Sequence, residues 1–171
     1  MYSGNDAATA IAEYVGGSEE AFVNMMNRRA QELMANGTHF MNPHGLHDDN
    51  HYTTAYDLYL IFNECIKHED FVNIIQSEAY TAYYTDVDGN SQEALFTPTN
   101  LYAQGEVDVP ENVTIVGGKT GTTDEAGYCL ILMEKDSSDN PYISIVMGAS
   151  EKPVLYEDMT PLIEAIPSGQ Q

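Results

Sequence analysis

The chain has 171 residues, enough for one domain with a sizeable core and too few for two independent ones. Its 27 acidic against 6 basic residues give a formal charge of -21, which opposes binding to nucleic acid or anionic lipid, so neither is expected as a partner. An apolar share of 43%, with 12 tyrosines and 5 phenylalanines, excludes a disordered acidic tail.

In chain order, residues 1 to about 76 are expected to be helical. Asp6 to Val15 is alanine-rich and stops at Gly16-Gly17, and Ser18 before Glu19 and Glu20 has the form of an N-cap with acidic residues in the first turn. Phe22, Met26, Leu33 and Met34 recur near helical spacing, which predicts a core stripe on a helix ended by Asn36-Gly37. Thr54-x-x-Asp57 predicts a capped helix carrying Leu58, Ile61, Phe62 and Ile66, and Asp70 is expected to cap a shorter helix through Ile75.

From 77 to about 166 the pattern changes to short runs suited to strands. Tyr80 to Val87 and Gln92 to Phe96 flank Asp88-Gly89, a hairpin signal. Val113 to Thr120, Tyr128 to Lys135 and Tyr142 to Gly148 predict three strands of an antiparallel meander, and Pro153 opens a last helix to about Ala165. Helices, then strands, then one helix argue an α+β fold, and no internal repeat or linker divides it.

Several constellations invite a chemical reading. Cys65 and Cys129 sit in apolar runs and are expected to be buried thiols, since a disulfide needs a geometry that spacing alone does not give. His39, His44, His47 and His51 cluster near Asp48 and Asp49 but lack the helical spacing of a zinc site, so they are expected to be solvent-exposed loop residues. Asp86-x-Asp88-x-Asn90 begins like a calcium loop, yet Ser91 and Thr97 stand where an EF-hand needs Gly and Glu. Gly118-Lys119-Thr120 ends like a phosphate-binding loop whose first glycine would fall on Val113. No apolar run reaches the length of a membrane span and the N-terminus has no signal-peptide pattern, so the chain as written is expected to remain cytoplasmic.

What remains is Ser3-Gly4-Asn5 and, over a hundred residues later, Lys119-Thr120-Gly121. A hydroxyl to relay a proton, an amide to orient a carbonyl and a lysine on a strand edge are groups that an acyl-transfer site needs around its nucleophile. Gly121 would let a substrate backbone approach the strand edge. A solvated strand lysine without a role is the plainer alternative.

These motifs resemble those of the penicillin-binding proteins and serine β-lactamases. With Ala21-Phe22-Val23-x-Met25-Met26-Asn27, Thr38-x-Phe40-x-Asn42-Pro43-His44-Gly45-Leu46 and Ala126-Gly127-Tyr128-Cys129-Leu130, the chain is similar to the low-molecular-mass D-alanyl-D-alanine carboxypeptidases over roughly residues 2 to 165. The resemblance implies a β-lactamase/transpeptidase-like fold: a helical subdomain, an antiparallel sheet and a C-terminal helix. It implies a stem peptide ending in D-Ala-D-Ala as substrate, β-lactams as ligands of the intact parent, an extracytoplasmic setting in the cell envelope or outside the cell, and no metal or organic cofactor. Ser3, Asn5 and Lys119 would be catalytic, and Thr120, Gly121 and Thr122 would bind substrate.

The family's Ser-x-x-Lys motif, which supplies the nucleophile, has no counterpart here: Ser18, Ser77, Ser91, Ser144 and Ser150 are followed at the third place by Ala21, Tyr80, Ala94, Met147 and Pro153. The chain is therefore expected to be a single partial catalytic domain, 1–171, with its N-terminal part missing and no activity of its own. The alternatives are a stem-peptide-binding or complementing module without catalysis, and an unrelated structural protein.

Overall fold

The computed structural model describes residues 2–168. Six helices and five strands follow in the order α1 (Asn5–Gly16), α2 (Glu19–Glu32), α3 (Ala55–Cys65), α4 (Glu69–Ile75), β1 (Tyr80–Thr85), β2 (Ser91–Phe96), α5 (Leu101–Gln104), β3 (Val113–Thr123), β4 (Gly127–Asp136), β5 (Pro141–Ala149) and α6 (Lys152–Glu164).

β4 lies between β3 and β5 in an antiparallel sheet. Its run Leu130-Ile131-Leu132-Met133 is apolar at every position because both of its faces are covered, and strand alternation sends neighbours to opposite sides. Leu130 and Leu132 pack with Ala149 against Leu155, Tyr156, Met159 and Ile163 of α6 and against Tyr102 of α5. Ile131 and Met133 point the other way, towards Phe62, Ile66, Phe71 and Ile75 of the helical part. Two glycines of β3 are demanded by this packing. A Cβ on Gly118 would stand 2.0 Å from the Ile131 carbonyl oxygen and one on Gly117 2.2 Å from that of Ile75, and Gly117 adjoins a register shift that bends the strand.

Both hairpin loops use one device. Asp86 and Asp136 each accept from the backbone N–H two and four residues on, and from an Asn90 or Asn140 side-chain amide; both carboxylates are held below their ordinary pKa, first of all by the side-chain hydrogen bonds from Gln92 to Asp86 and from Asn140 to Asp136. The expected hairpin forms, with a five-residue connection, and β1 ends two residues before Val87.

Several expectations for the helical part are corrected. Phe22, Met26 and Leu33 are only half-buried and Met34 is 68% exposed; the buried residues between 5 and 35 are Ala12, Ala30 and Ala35, small enough for close approach between α1 and α2. The second helix ends at Glu32, ahead of Asn36-Gly37, because Met34 takes the left-handed conformation (φ 63°), with its N–H donating to Gln31 O and that of Ala35 to Ala30 O. His68, not Asp70, precedes the first turn of α4. Ser18 and Thr54 do cap, accepting from Ala21 N and Asp57 N. Cys65 and Cys129 are free and half-buried, not buried.

Met34 occupies the position where helices favour glycine, so Met34→Gly is expected to raise stability by about 0.5–1 kcal/mol in urea unfolding, whereas Met34→Ala, which keeps a Cβ, should not. A second outcome concerns Glu134, fully buried on the α6 face between Ile115 and Tyr142 with neither carboxylate oxygen hydrogen-bonded. Burial pushes its pKa up to about 7 from 4.5. The folded state then holds this proton more tightly than the unfolded chain, so the contribution of Glu134 to stability is full below pH 4.5 and lost as pH rises through about 7. Relative to wild type, Glu134→Leu should gain stability over that window, by up to about 3 kcal/mol. A difference that does not vary with pH would contradict this assignment.

Candidate active site

β3 is an edge strand, and its last five residues, Lys119 to Thr123, form one wall of a cleft of about 470 Å³. Pairing sets Lys119 against Ile131 and Thr120 against Leu130, so the lysine side chain leaves the sheet on the helical side and the threonine on the α6 side. Lys119 Nζ donates to Ser3 Oγ at 2.5 Å, across 116 residues of chain, and to the Thr120 carbonyl. Burial pushes the Lys119 pKa down, and no ion pair among the described residues includes it. A lysine that donates to a hydroxyl leaves that hydroxyl's own proton free to move, the arrangement a proton relay requires.

Thr120 Oγ1 lies 2.5 Å from Thr99 Oγ1. With Thr99 as donor, the Thr120 O–H is left free to donate to another acceptor. Around Gly121 the environment differs from that of Gly117 and Gly118: a Cβ added there meets nothing within 4 Å. Internal packing does not ask for a glycine at 121.

Ser3, Lys119, Thr120, Gly121 and Thr122 thus line one cleft, as does Gly4. Asn5 does not. It is the first residue of α1, exposed and off the lining.

The opposite wall comes from residues 40–51, which turn composition marks as a loop, without showing that it faces Lys119. Phe40, Asn42, Pro43, His44, Leu46 and His51 line it. Asn27 of α2 holds its start, donating to Phe40 O and accepting from Phe40 N, both at 2.8 Å. Asn42 holds its turn, accepting from Gly45 N and donating to Leu46 O. The expectation of exposed histidines is corrected for three of the four. His39 is tied to Asn50 O, His44 Nδ1 accepts from Leu46 N, and His51 Nδ1 accepts from Met41 N, which puts the His51 proton on Nε2. Burial lowers the His51 pKa. Only His47 is exposed, beside Asp49 and Glu125. Among the described residues no group of three His, Cys, Asp or Glu side chains is placed to hold a metal ion.

Residues 1–151 match the family described as D-alanyl-D-alanine carboxypeptidase. The chain is 36% identical over 148 residues to the D-alanyl-D-alanine carboxypeptidase DacF of Bacillus subtilis, covering 86% of this chain and 35% of that protein. It is 30% identical to DacC of Escherichia coli, covering 95% and 37%. The crystal structure of the Streptomyces K15 DD-transpeptidase superposes with a TM-score of 0.82 at 26% identity, over 93% of this chain and 61% of that one. The chain spans about a third of the length of the curated relatives it matches.

The pair of hydrogen bonds between Asn27 and Phe40 fixes the far wall, and Asn27→Ala would leave both Phe40 backbone groups without their partner. The expected cost is about 1–3 kcal/mol, with faster hydrogen exchange at the Phe40 amide than at Leu130 in β4. Unchanged exchange at Phe40 would show that the loop is held by other contacts.

Proposed function

Because this chain belongs to the D-alanyl-D-alanine carboxypeptidase family, we propose that it supplies the Ser-x-Asn and Lys-Thr-Gly part of a serine-type D-Ala-D-Ala carboxypeptidase, which trims peptidoglycan stem peptides through an acyl-enzyme. The observation that carries this reading is the hydrogen bond from Lys119 to Ser3 beside a free strand edge. A stem peptide ending in D-Ala-D-Ala would lie along β3, where the open space at Gly121 leaves room for its backbone. Thr120 and Thr122 would donate to its terminal carboxylate, near the positive charge of Lys119. The Thr122 N–H would be one half of an oxyanion hole. Ser3 would pass its proton to the departing D-alanine and recover one through Lys119. Asn5 would orient the substrate amide, which requires its side chain to turn inwards from its exposed position.

The acylating serine has to come from another segment, since these 171 residues contain no Ser-x-x-Lys. Exposed apolar side chains offer that segment a place to pack: Ile11, Val15 and the 92% exposed Tyr14 on α1. The outer edge of β5 carries no partner strand in this sheet. β-Lactams would acylate the completed site, and the intact parent would work outside the cytoplasm, in the cell envelope or secreted. No helix among the described residues is long and apolar enough to cross a membrane. The same missing motif favours, as a second reading, a module that binds stem peptides without cleaving them.

Incubated with fluorescent penicillin, the chain alone is expected to show no covalent adduct by intact-mass spectrometry. Adding an N-terminal segment that carries Ser-x-x-Lys should raise the melting temperature and restore acylation, and Lys119→Ala should abolish the acylation while keeping the stabilisation. Stabilisation without acylation would favour the binding module. An adduct on a serine of this chain would overturn the assignment of roles.

A further inference from the structure

The hairpin β1–β2 has no part in the reading above, yet it presents aromatic side chains to solvent: Tyr80 is 67%, Tyr83 78% and Tyr84 53% exposed. Strand alternation places Tyr80, Ala82 and Tyr84 on one face and Tyr83 on the other. The register sets Tyr80 opposite Phe96, Ala82 opposite Ala94, and Tyr84 opposite Gln92. The first face is therefore a trough, with aromatic walls about 13 Å apart along the strand and a floor of two alanine methyls between them.

The trough runs into the cleft. Tyr2 packs edge-on against Phe96 with ring centroids 5.3 Å apart, and a cavity of about 340 Å³ lies between Tyr2, Ile74, Tyr80, Phe96 and Pro98. Tyr2 also lines the cleft, immediately before Ser3. A ligand held in the trough would thus continue towards the group that donates to Lys119.

The chemistry of the trough restricts its occupant. Flat rings next to an apolar floor favour a ligand with broad C–H faces, while exposed phenol hydroxyls favour one with polar edges. Asp86 and Asp88 at the hairpin tip, Glu78 at its base and the net charge of -21 repel anions. An uncharged chain of sugar rings has both surfaces and no such charge.

We propose that the Tyr80–Tyr84 trough binds the glycan strand of the substrate, an N-acetylated amino-sugar polymer, and so delivers the peptide attached to it to the cleft; this rests on the carboxypeptidase reading of that cleft. The trough supplies affinity for the polymer that the small terminal dipeptide does not provide, and its loss leaves the cleft residues untouched.

The test is a backbone-amide NMR titration of the chain with the β-1,4-linked tetramer of N-acetylglucosamine. Shifts are expected at Tyr80, Ala82, Tyr84 and Ala94. Tyr80→Ala and Tyr84→Ala should each weaken binding about three- to tenfold, and Tyr83→Ala, on the opposite face, should leave it unchanged. All three side chains are exposed, so spectra away from the hairpin should overlay. Absence of shifts, shifts confined to the cleft, or equal effects of all three variants would overturn the proposal. So would a dimer in sedimentation equilibrium that Tyr80→Ala abolishes without any sugar binding, which would make the face a contact between copies. An acyl-D-Ala-D-Ala peptide, titrated separately and read at the amides of Thr120 to Thr123, keeps the two readings apart: peptide binding without sugar binding sinks the trough alone, and sugar binding without peptide binding sinks the carboxypeptidase reading of the cleft.

Discussion

Burial of β4 on both faces organises the molecule. Leu130 and Leu132 belong to the α6 side, Ile131 and Met133 to the helical side, so that one strand feeds the cores on both faces of the sheet. A one-residue slip would exchange them and drive the β3 glycines off the Ile131 and Ile75 carbonyls that they accommodate. With β4 fixed, β3 becomes an edge whose C-terminal half is free. The helical part closes over the sheet so that Ser3, before α1, reaches Lys119. The cleft is a product of packing on both sides of one strand.

Electrostatics add a second constraint. In a chain of charge -21, the cation of the cleft takes part in no ion pair among the described residues, and its partners are a hydroxyl and a carbonyl. Desolvation there lowers the lysine pKa, while the same effect on Glu134 raises the carboxyl pKa in the opposite layer. One fold therefore shifts a lysine and a carboxylic acid in opposite directions by the same desolvation.

Much of the sheet was legible because its pattern is enforced by burial: the three long strands and α6 lie within one to three residues of where alternation and Pro153 place them. The helix caps at Ser18 and Thr54 were legible because a side-chain oxygen there does a local job. The stripe Phe22, Met26, Leu33 and Met34 misled, since helical spacing reports an apolar face without saying whether anything in the chain covers it. α5 was missed because four residues are too few for a period, although Asn100 caps it. At the site, the Lys-Thr-Gly run stood out by composition, but the wall from Phe40 to His51 is held by Asn27 and Asn42 through backbone contacts that spacing does not encode.

The central claim is that the ammonium group of Lys119 is enclosed between Ser3 and the β3 edge and is not a solvated surface charge. Following the Lys119 side-chain ammonium by heteronuclear NMR across an alkaline titration tests this most directly. Enclosure predicts a pKa below the ordinary lysine value of about 10.4, together with slowed proton exchange that Ser3→Ala accelerates. Titration at the ordinary value, with exchange indifferent to Ser3, would contradict the account.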